Sequence, residues 1–429
     1  MYFRTCSILF FGGILSAASS PQSVTFSKDV APVLQDNCQT CHRPGEAAPM
    51  SLLTYQQARP WAAAISENVT LKKMPPWFAD PKYGHFANDR SLKQKDIDTL
   101  VAWAKSGAKE GDPKDLPKPA AFLKGWNIGK PDLQIEMPAE FKVPASGTLD
   151  YQYILIPGNF KQDTWVEQAE VRPGNRPLVH HVIAFIRPPG SKYMKGAQPG
   201  IPFVPKEGDE GGPSEFLVGY APGMVTTQLA PGRAKLVQAG SDIILQMHYT
   251  ANGKEGVDRT KVGFVFAKSP VKERVITLAA TDHKFEIPPN DPNYKVNATF
   301  EFADDAKVIA YLPHMHLRGK DFEYRAVYPT GEKETLLNVP NYSFSWQLTY
   351  FPVKELVVPK GTKIECTAHF DNSANNPNNP DPNKTVRYGD QSWEEMMFGF
   401  FDVAIDAKKD PSTLFPRQKK ATPAPAVLE

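Results

Sequence analysis

Leu236-Val237-Gln238-Ala239-Gly240-Ser241-Asp242-Ile243, followed by His248-Tyr249, can be laid over Val357-Val358-Pro359-Lys360-Gly361-Thr362-Lys363-Ile364, followed by His369-Phe370. Gly240 then falls on Gly361 and His248 on His369. Each stretch reads as strand, glycine turn, strand. Two related units in tandem account for the echo, with a break near residues 268–273. Around it, apolar or alternating runs at 151–156, 178–186, 243–249 and 262–266 precede others at 274–278, 307–312, 322–327, 364–370 and 397–403. Short strands separated by Pro and Gly turns, with almost no helical periodicity, predict two all-β sandwich domains of jelly-roll type.

With 429 residues the chain exceeds one ordinary core, and its 41 prolines and 29 glycines favour turns over long helices. A net charge of +2 without a basic stripe argues against nucleic acid. At the start, one positive charge at Arg4, an apolar run over 8–15 and small residues over 16–20 form an export-signal pattern covering residues 1–20. Cleavage is expected after Ala18, giving a periplasmic or secreted protein with no stable membrane span, because the apolar run is too short. Cys6 leaves with the signal. Cys38, Cys41 and Cys366 remain, too few for a disulfide framework.

Residues 27–37 predict a short helix running into Cys38-Gln39-Thr40-Cys41-His42. Cys-x-x-Cys-His attaches haem c through two thioether bonds, with the histidine on the iron. The same residues also suit a redox Cys-x-x-Cys or half a zinc site. A second helix is expected over 91–106, with Ser91 as N-cap, Gln94 at the capping-box position, and Ile97, Leu100, Val101 and Ala104 on one face before Gly107. Two helices flanking the motif resemble a small class I cytochrome c, over residues 23–112, with one covalently attached haem. Met74, beside Pro75 and Pro76, is the favoured sixth ligand, and Met50 and His85 are alternatives. Residues 113–140 read as a proline-rich linker.

The metal-binding residue types lie in the β region. In Leu312-Pro313-His314-Met315-His316-Leu317, a regular strand would put His314 and His316 on one face, able to share an ion. His180 and His181 are neighbours, so both reach one ion only if a bulge or strand end re-aims one. His248 would complete a three-histidine set. Read alone, the tandem pair suits a surface edge and His248 a core position. Met396 or Met397 offers a soft thioether suited to Cu(I), although a methionine beside phenylalanines is also ordinary core filler.

Residues 150–405 resemble the copper type II, ascorbate-dependent monooxygenases, which include peptidylglycine hydroxylating and dopamine β-monooxygenases. The resemblance rests on His180-His181, His248, His314-Met315-His316 and Glu395-Met396. It implies two jelly-roll-like domains, 141–270 and 271–410, each holding one copper ion across a solvent-filled cleft. His180, His181 and His248 would bind the electron-transfer copper, and His314, His316 and Met396 the copper that takes O₂ and performs catalysis. Met396 is the match because the family's ligand directly follows an acidic residue.

The departures are informative. Met397 stands where animal members have a cysteine, and Cys366 is left unpaired. Leu312, Phe398 and Phe400 replace the arginine, asparagine and tyrosine of the peptide-amidating member, so an apolar substrate is expected and a peptide carboxylate is not. The echo makes His369 a rival ligand.

The expectation is hydroxylation of a C–H bond of a small organic substrate with O₂, using two copper ions. Electrons would enter through the fused haem from an external donor such as another cytochrome or a quinol-linked chain. The alternatives are a non-catalytic c-type electron-transfer protein with a copper-binding sandwich, and a haem peroxidase with a binding module. The Asn/Pro-rich stretch 371–384 reads as a lid or a mobile surface insertion, and 411–429 as a disordered tail.

Overall fold

The computed structural model describes residues 24–46, 48–122, 125–204, 215–222, 224 and 229–416. The expected signal (1–20) and residues 417–429 of the expected tail lie outside them. A π-helical turn over Phe26–Val30 leads into α1 (Ala31–Asn37), followed by α2 (Tyr55–Ala58), α3 (Ala62–Thr70) and α4 (Gln94–Lys105). Ile97, Leu100 and Trp103 recur on one face of α4 and meet Leu34, Ile65 and Val69 in a separate small core.

Helix α4 starts later than expected. The Ser91 N–H is taken by Asp89 Oδ1 at 2.8 Å, and Lys93 occupies the N-cap position without a side-chain bond. Ser91 therefore sits in a preceding turn. Gly107, at φ +89°, ends the helix in the left-handed conformation that favours glycine. Helices α2 and α3 are too short to carry a periodic signature.

The remainder is β-structure. Its first set is β1 (Leu133–Glu136), β2 (Phe141–Val143), β3 (Gln152–Ile156), β4 (Thr164–Arg172) and β5 (Val179–Arg187). There follow β6 (Glu215–Tyr220), β7 (Arg233–Val237), β8 (Asp242–Tyr249), β9 (Gly256–Asp258) and β10 (Lys261–Phe266). The second set opens with β11 (Glu273–Thr281), β12 (Glu286–Ile287), β13 (Tyr294–Glu301), β14 (Ala306–His314) and β15 (Gly319–Val327). It closes with β16 (Lys333–Val339), β17 (Leu356–Val358), β18 (Lys363–Phe370), β19 (Val386–Arg387) and β20 (Phe398–Asp406).

Strand orders β3-β8-β5-β6 and β13-β18-β15-β16 make two four-stranded sheets, and β2-β9 and β12-β19 two small ones. One continuous sheet runs β1-β10-β4-β7-β11-β20-β14-β17. Every strand of the second set thus takes the place of the strand numbered ten lower in the first. The chain carries a tandem repeat of one sandwich, and the expected break at 268–273 falls between β10 and β11. Gly240 and Gly361 turn the chain at φ +77° and +86° in equivalent places.

Each sandwich closes on its own apolar core. In β18 Ile364, Cys366, Ala368 and Phe370 face that core while Glu365, Thr367 and His369 face outward. Strand β8 is largely buried on both faces because a second cluster, including Tyr151, Tyr153 and Ile244, covers its outer side. The repeats are joined by a short parallel pairing of β7 with β11, where Arg233 bonds Glu273 at 2.6 Å and Glu355 at 2.8 Å.

Three expected boundaries move. Strand β1 lies inside the stretch 113–140 read as linker, pairs with β10 and is followed by buried Met137, so the linker ends before Leu133. Residues near Phe86 leave the helical unit: Phe86 is buried in the core of the second sandwich, and the Ala87 N–H donates to the Phe351 carbonyl at 2.7 Å. The expected tail begins with a 3-10 turn over Pro411–Leu414, whose Leu414 is buried in the same core. No helix among the described residues is long and apolar enough to cross a membrane.

Candidate metal centre

Strand β5 pairs with β8 with a register shift between Val179 and His181, so His180 is the extra residue of a bulge. That irregularity is the one the tandem histidines need. His181 lies directly across from His248, and the bulge swings His180 to the same place. His181 Nδ1 is 3.2 Å from His180 Nδ1 and 3.3 Å from His248 Nδ1. Two nitrogens each ~2.0 Å from one ion at near-tetrahedral angles stand about 3.3 Å apart, so this spacing suits a shared metal ion. Burial pushes His180 down to about 4 and His248 to about 3, and drives His181 well below the usual imidazole range. The lone pairs are free at neutral pH.

The His-x-His pair is built differently from the expectation. Strand β14 ends at His314, and His316 lies in the turn that follows. What aligns them is a buried acid: Glu395 accepts the His316 N–H at 2.8 Å and the Arg318 N–H at 2.6 Å. The ring centroids of His314 and His316 end 5.2 Å apart. His314 Nδ1 meets Gln347 Oε1 at 2.7 Å, and His316 Nδ1 meets the Glu394 carbonyl at 3.2 Å. Both partners are acceptors, so each Nδ1 carries the proton and each Nε2 carries the lone pair. His316 Nε2 is buried with no hydrogen-bond partner, as an atom reserved for a ligand would be. Burial lowers His314 to about 4 and His316 well below the usual range, and pushes the Glu395 carboxyl up to about 8.

Met396 and Met397 separate cleanly. Met397 belongs to the core of the second sandwich; Met396 is buried but outside that core, directly after the residue that pins the His316 turn. His369, the rival ligand, points outward from β18 and pairs with Asp321 at 2.6 Å. The repeat explains it. Asp321 and His369 face each other across β15 and β18 beside the same kind of register shift that His181 and His248 share in the first unit. The echo therefore located a true counterpart, in which an aspartate replaces the second histidine.

The space between the clusters differs from the expected solvent-filled cleft. The Tyr151 ring lies 4.7 Å from His248, 5.2 Å from His181 and 6.3 Å from His316. Phe344 stacks on His180 at 5.1 Å and stands 5.9 Å from His316. Ser392 and the Tyr151 hydroxyl meet at 3.2 Å, and the Tyr151 N–H donates to Gln391 Oε1 at 3.0 Å, tying the first repeat to the segment leading to Met396. Leu312 and Phe400 line a pocket between the repeats with Phe216, Val218 and Met224. The stretch 371–384 is sewn down: buried Asn372 accepts from Arg318 Nε at 2.8 Å, and Asn376 donates to the Leu317 carbonyl at 3.2 Å. It buttresses the His316 turn.

In the helical unit, the Cys41 and His42 N–H groups donate to the Cys38 carbonyl at 3.1 and 3.0 Å, so Cys38, Cys41 and His42 lie on one side of a helical turn. Both thiols are unbridged and raised by burial, and His42, lowered by burial, has a buried Nδ1 without a hydrogen-bond partner. Met74 and Met50 are half-buried, whereas His85 is exposed and its carbonyl accepts from Val353 on the sandwich side. Tyr151, Phe344, Gln347 and the pinning role of Glu395 were not legible in the sequence, since each acts through a contact with a distant segment.

No family model and no curated protein matches this chain. Solved structures that match include the VP2 subviral particle of infectious bursal disease virus, at 10% identity over 68% of this chain and 77% of that one, with a TM-score of 0.19. Another is the Macrobrachium rosenbergii nodavirus, at 10% identity over 68% of this chain and 97% of that one, with a TM-score of 0.14. At such scores neither carries an argument.

Proposed function

We propose that this chain is an exported copper-dependent monooxygenase that hydroxylates a C–H bond of a small apolar substrate with O₂, receiving electrons through a covalently attached haem c in its helical unit. The reading is carried by five neutral histidines, three buried and two half-buried, arranged as two donor sets that share one bridging tyrosine. The donors fit copper: three converging Nδ1 atoms at one set, and two Nε2 lone pairs at the other, with Met396 proposed as its soft third ligand. When bound, copper would supply O₂ activation at the second set and single-electron storage at the first, and haem the one-electron supply. Hydroxylation places one oxygen atom in the substrate and the other in water, consuming two electrons and two protons.

The residues themselves orient and exclude. Gln347 and the Glu394 carbonyl fix the tautomers of His314 and His316, Glu395 sets the turn between them, and Tyr151 and Phe344 keep the intervening space dry. Phe398 and Phe400, whose rings stand 6.5 and 6.3 Å from His314, give the second set an apolar flank that suits an apolar substrate. A second reading, a non-catalytic electron-transfer protein, is favoured by one observation: His314 and His316 are buried, which leaves a substrate little access.

Metal and haem analysis of the purified protein, followed by O₂ uptake with a reduced donor and a panel of apolar substrates, separates the two. Two coppers per haem with substrate-stimulated O₂ use is expected. Full loading without O₂ use for any donor or substrate leaves the electron-transfer reading. Zinc in both sites, or no haem, removes the proposal.

A further inference from the structure

The segment of the Cys-x-x-Cys-His turn is bonded to the turn that leads into the strand carrying two of the three clustered histidines. Arg43 folds back over the turn and donates to the carbonyls of Gln39 and Thr40, the two residues between the cysteines, at 3.2 and 2.6 Å. Its guanidinium also holds Glu46 at 3.1 Å. The other oxygen of Glu46 is taken by Arg176 of the first sandwich. All three side chains are largely shielded from water, where such charge-assisted bonds are strongest. Arg176 opens the 3-10 turn Arg176–Leu178 that runs directly into β5, four residues before His180. It also lies over the Tyr220 ring at 5.8 Å, and Tyr220 pairs across the sheet with Val182, the residue after His181.

Resting on the proposed function, we infer that Glu46 and Arg176 form a latch that fixes the haem-bearing turn against the three-histidine site, making that site the entry point for electrons and Arg176 a positioning residue. With both groups bound, Cys38, Cys41 and His42 would hold the one-electron donor and His180, His181 and His248 its acceptor, one ferrous haem iron being oxidised to ferric for each cupric ion reduced to cuprous. Because donor and acceptor are held in one chain by short bonds, transfer is intramolecular.

The test uses the full chain loaded with haem and copper. The haem is photoreduced in the presence of Cu(II), and its reoxidation is followed optically alongside the loss of the Cu(II) resonance. First-order decay with a rate independent of protein concentration is expected. Arg176→Gln should slow it about tenfold by releasing the turn from its docked pose, and Arg176→Lys, which keeps the cation, should restore most of the rate. The haem potential should stay unchanged in both variants. In the metal-free, haem-free chain, hydrogen exchange over residues 38–46 should rise in Arg176→Gln and return in Arg176→Lys.

Full haem and copper loading with wild-type rates in Arg176→Gln, or a concentration-dependent rate in the unaltered chain, overturns the latch while leaving the oxygenase reading intact. A chain that binds no haem overturns both.

Discussion

Gln347 holds the proton of His314 in place, and it does so from a segment 33 residues away in sequence. Gln347→Leu keeps the volume but removes the acceptor, freeing His314 to adopt the wrong tautomer. Loss of such a partner typically costs about 10- to 100-fold in metal affinity. Copper titration should show that loss at the second set only, with the three-histidine set unchanged. Met396→Ala should abolish O₂ use while leaving copper at His180, His181 and His248, visible by its resonance. Full activity in that variant would remove Met396 from the site.

The clustered histidines also set an acid limit. Their folded-state values, about 4 for His180 and His314 and about 3 for His248, lie below the ordinary 6.5. Below pH 6.5 the unfolded chain binds protons that the folded chain refuses, so stability falls as pH falls through the window from about 6.5 to about 3. Acid titration of the metal-free protein by circular dichroism should show this onset, and added copper should move it to lower pH. An acid midpoint that copper leaves unmoved would count against metal binding at these residues.

Among the elements, the two repeats use the same device at the same place with different results. In the second, Glu395 pins the turn after β14; in the first, Asp258 accepts the Asn175 N–H at 2.9 Å in the turn after β4. Glu395→Ala leaves two buried N–H groups without an acceptor, at a cost of roughly 3 kcal/mol. Thermal unfolding should move down accordingly, and copper at the second set should be lost while the first set keeps its ion. The bulge at His180 was legible in the sequence as a requirement, because adjacent histidines on a regular strand cannot meet. The position of His316 beyond the strand end was not, because the turn is drawn in by a carboxylate 79 residues later.

For the whole molecule, Arg233 clamps the junction of the two repeats between Glu273 and Glu355. Arg233→Ala leaves two carboxylates facing each other with a partner removed, a change typically worth about 3 kcal/mol or more for buried pairs and less here because both acids are partly exposed. The melting temperature should fall. Because Tyr151 reaches the second repeat through Ser392 and Gln391, copper at the second set should weaken in the same variant. An unchanged melting curve would show that the continuous sheet alone holds the repeats together.

Local pattern determined the strands, their alternation and the duplication, since periodicity and glycine turns are properties of neighbouring residues. It also named all five clustered histidines and the Cys-x-x-Cys-His turn, whose residue types are themselves the signal. Tertiary structure alone decided that β1 completes the first sandwich, that His369 pairs with Asp321, that Tyr151 and Phe344 occupy the space between the two sets, and that Glu46 reaches Arg176. The reason is the same in each case: these contacts join segments tens to hundreds of residues apart, and burial and hydrogen-bond satisfaction act on what the fold brings together, which sequence spacing does not record.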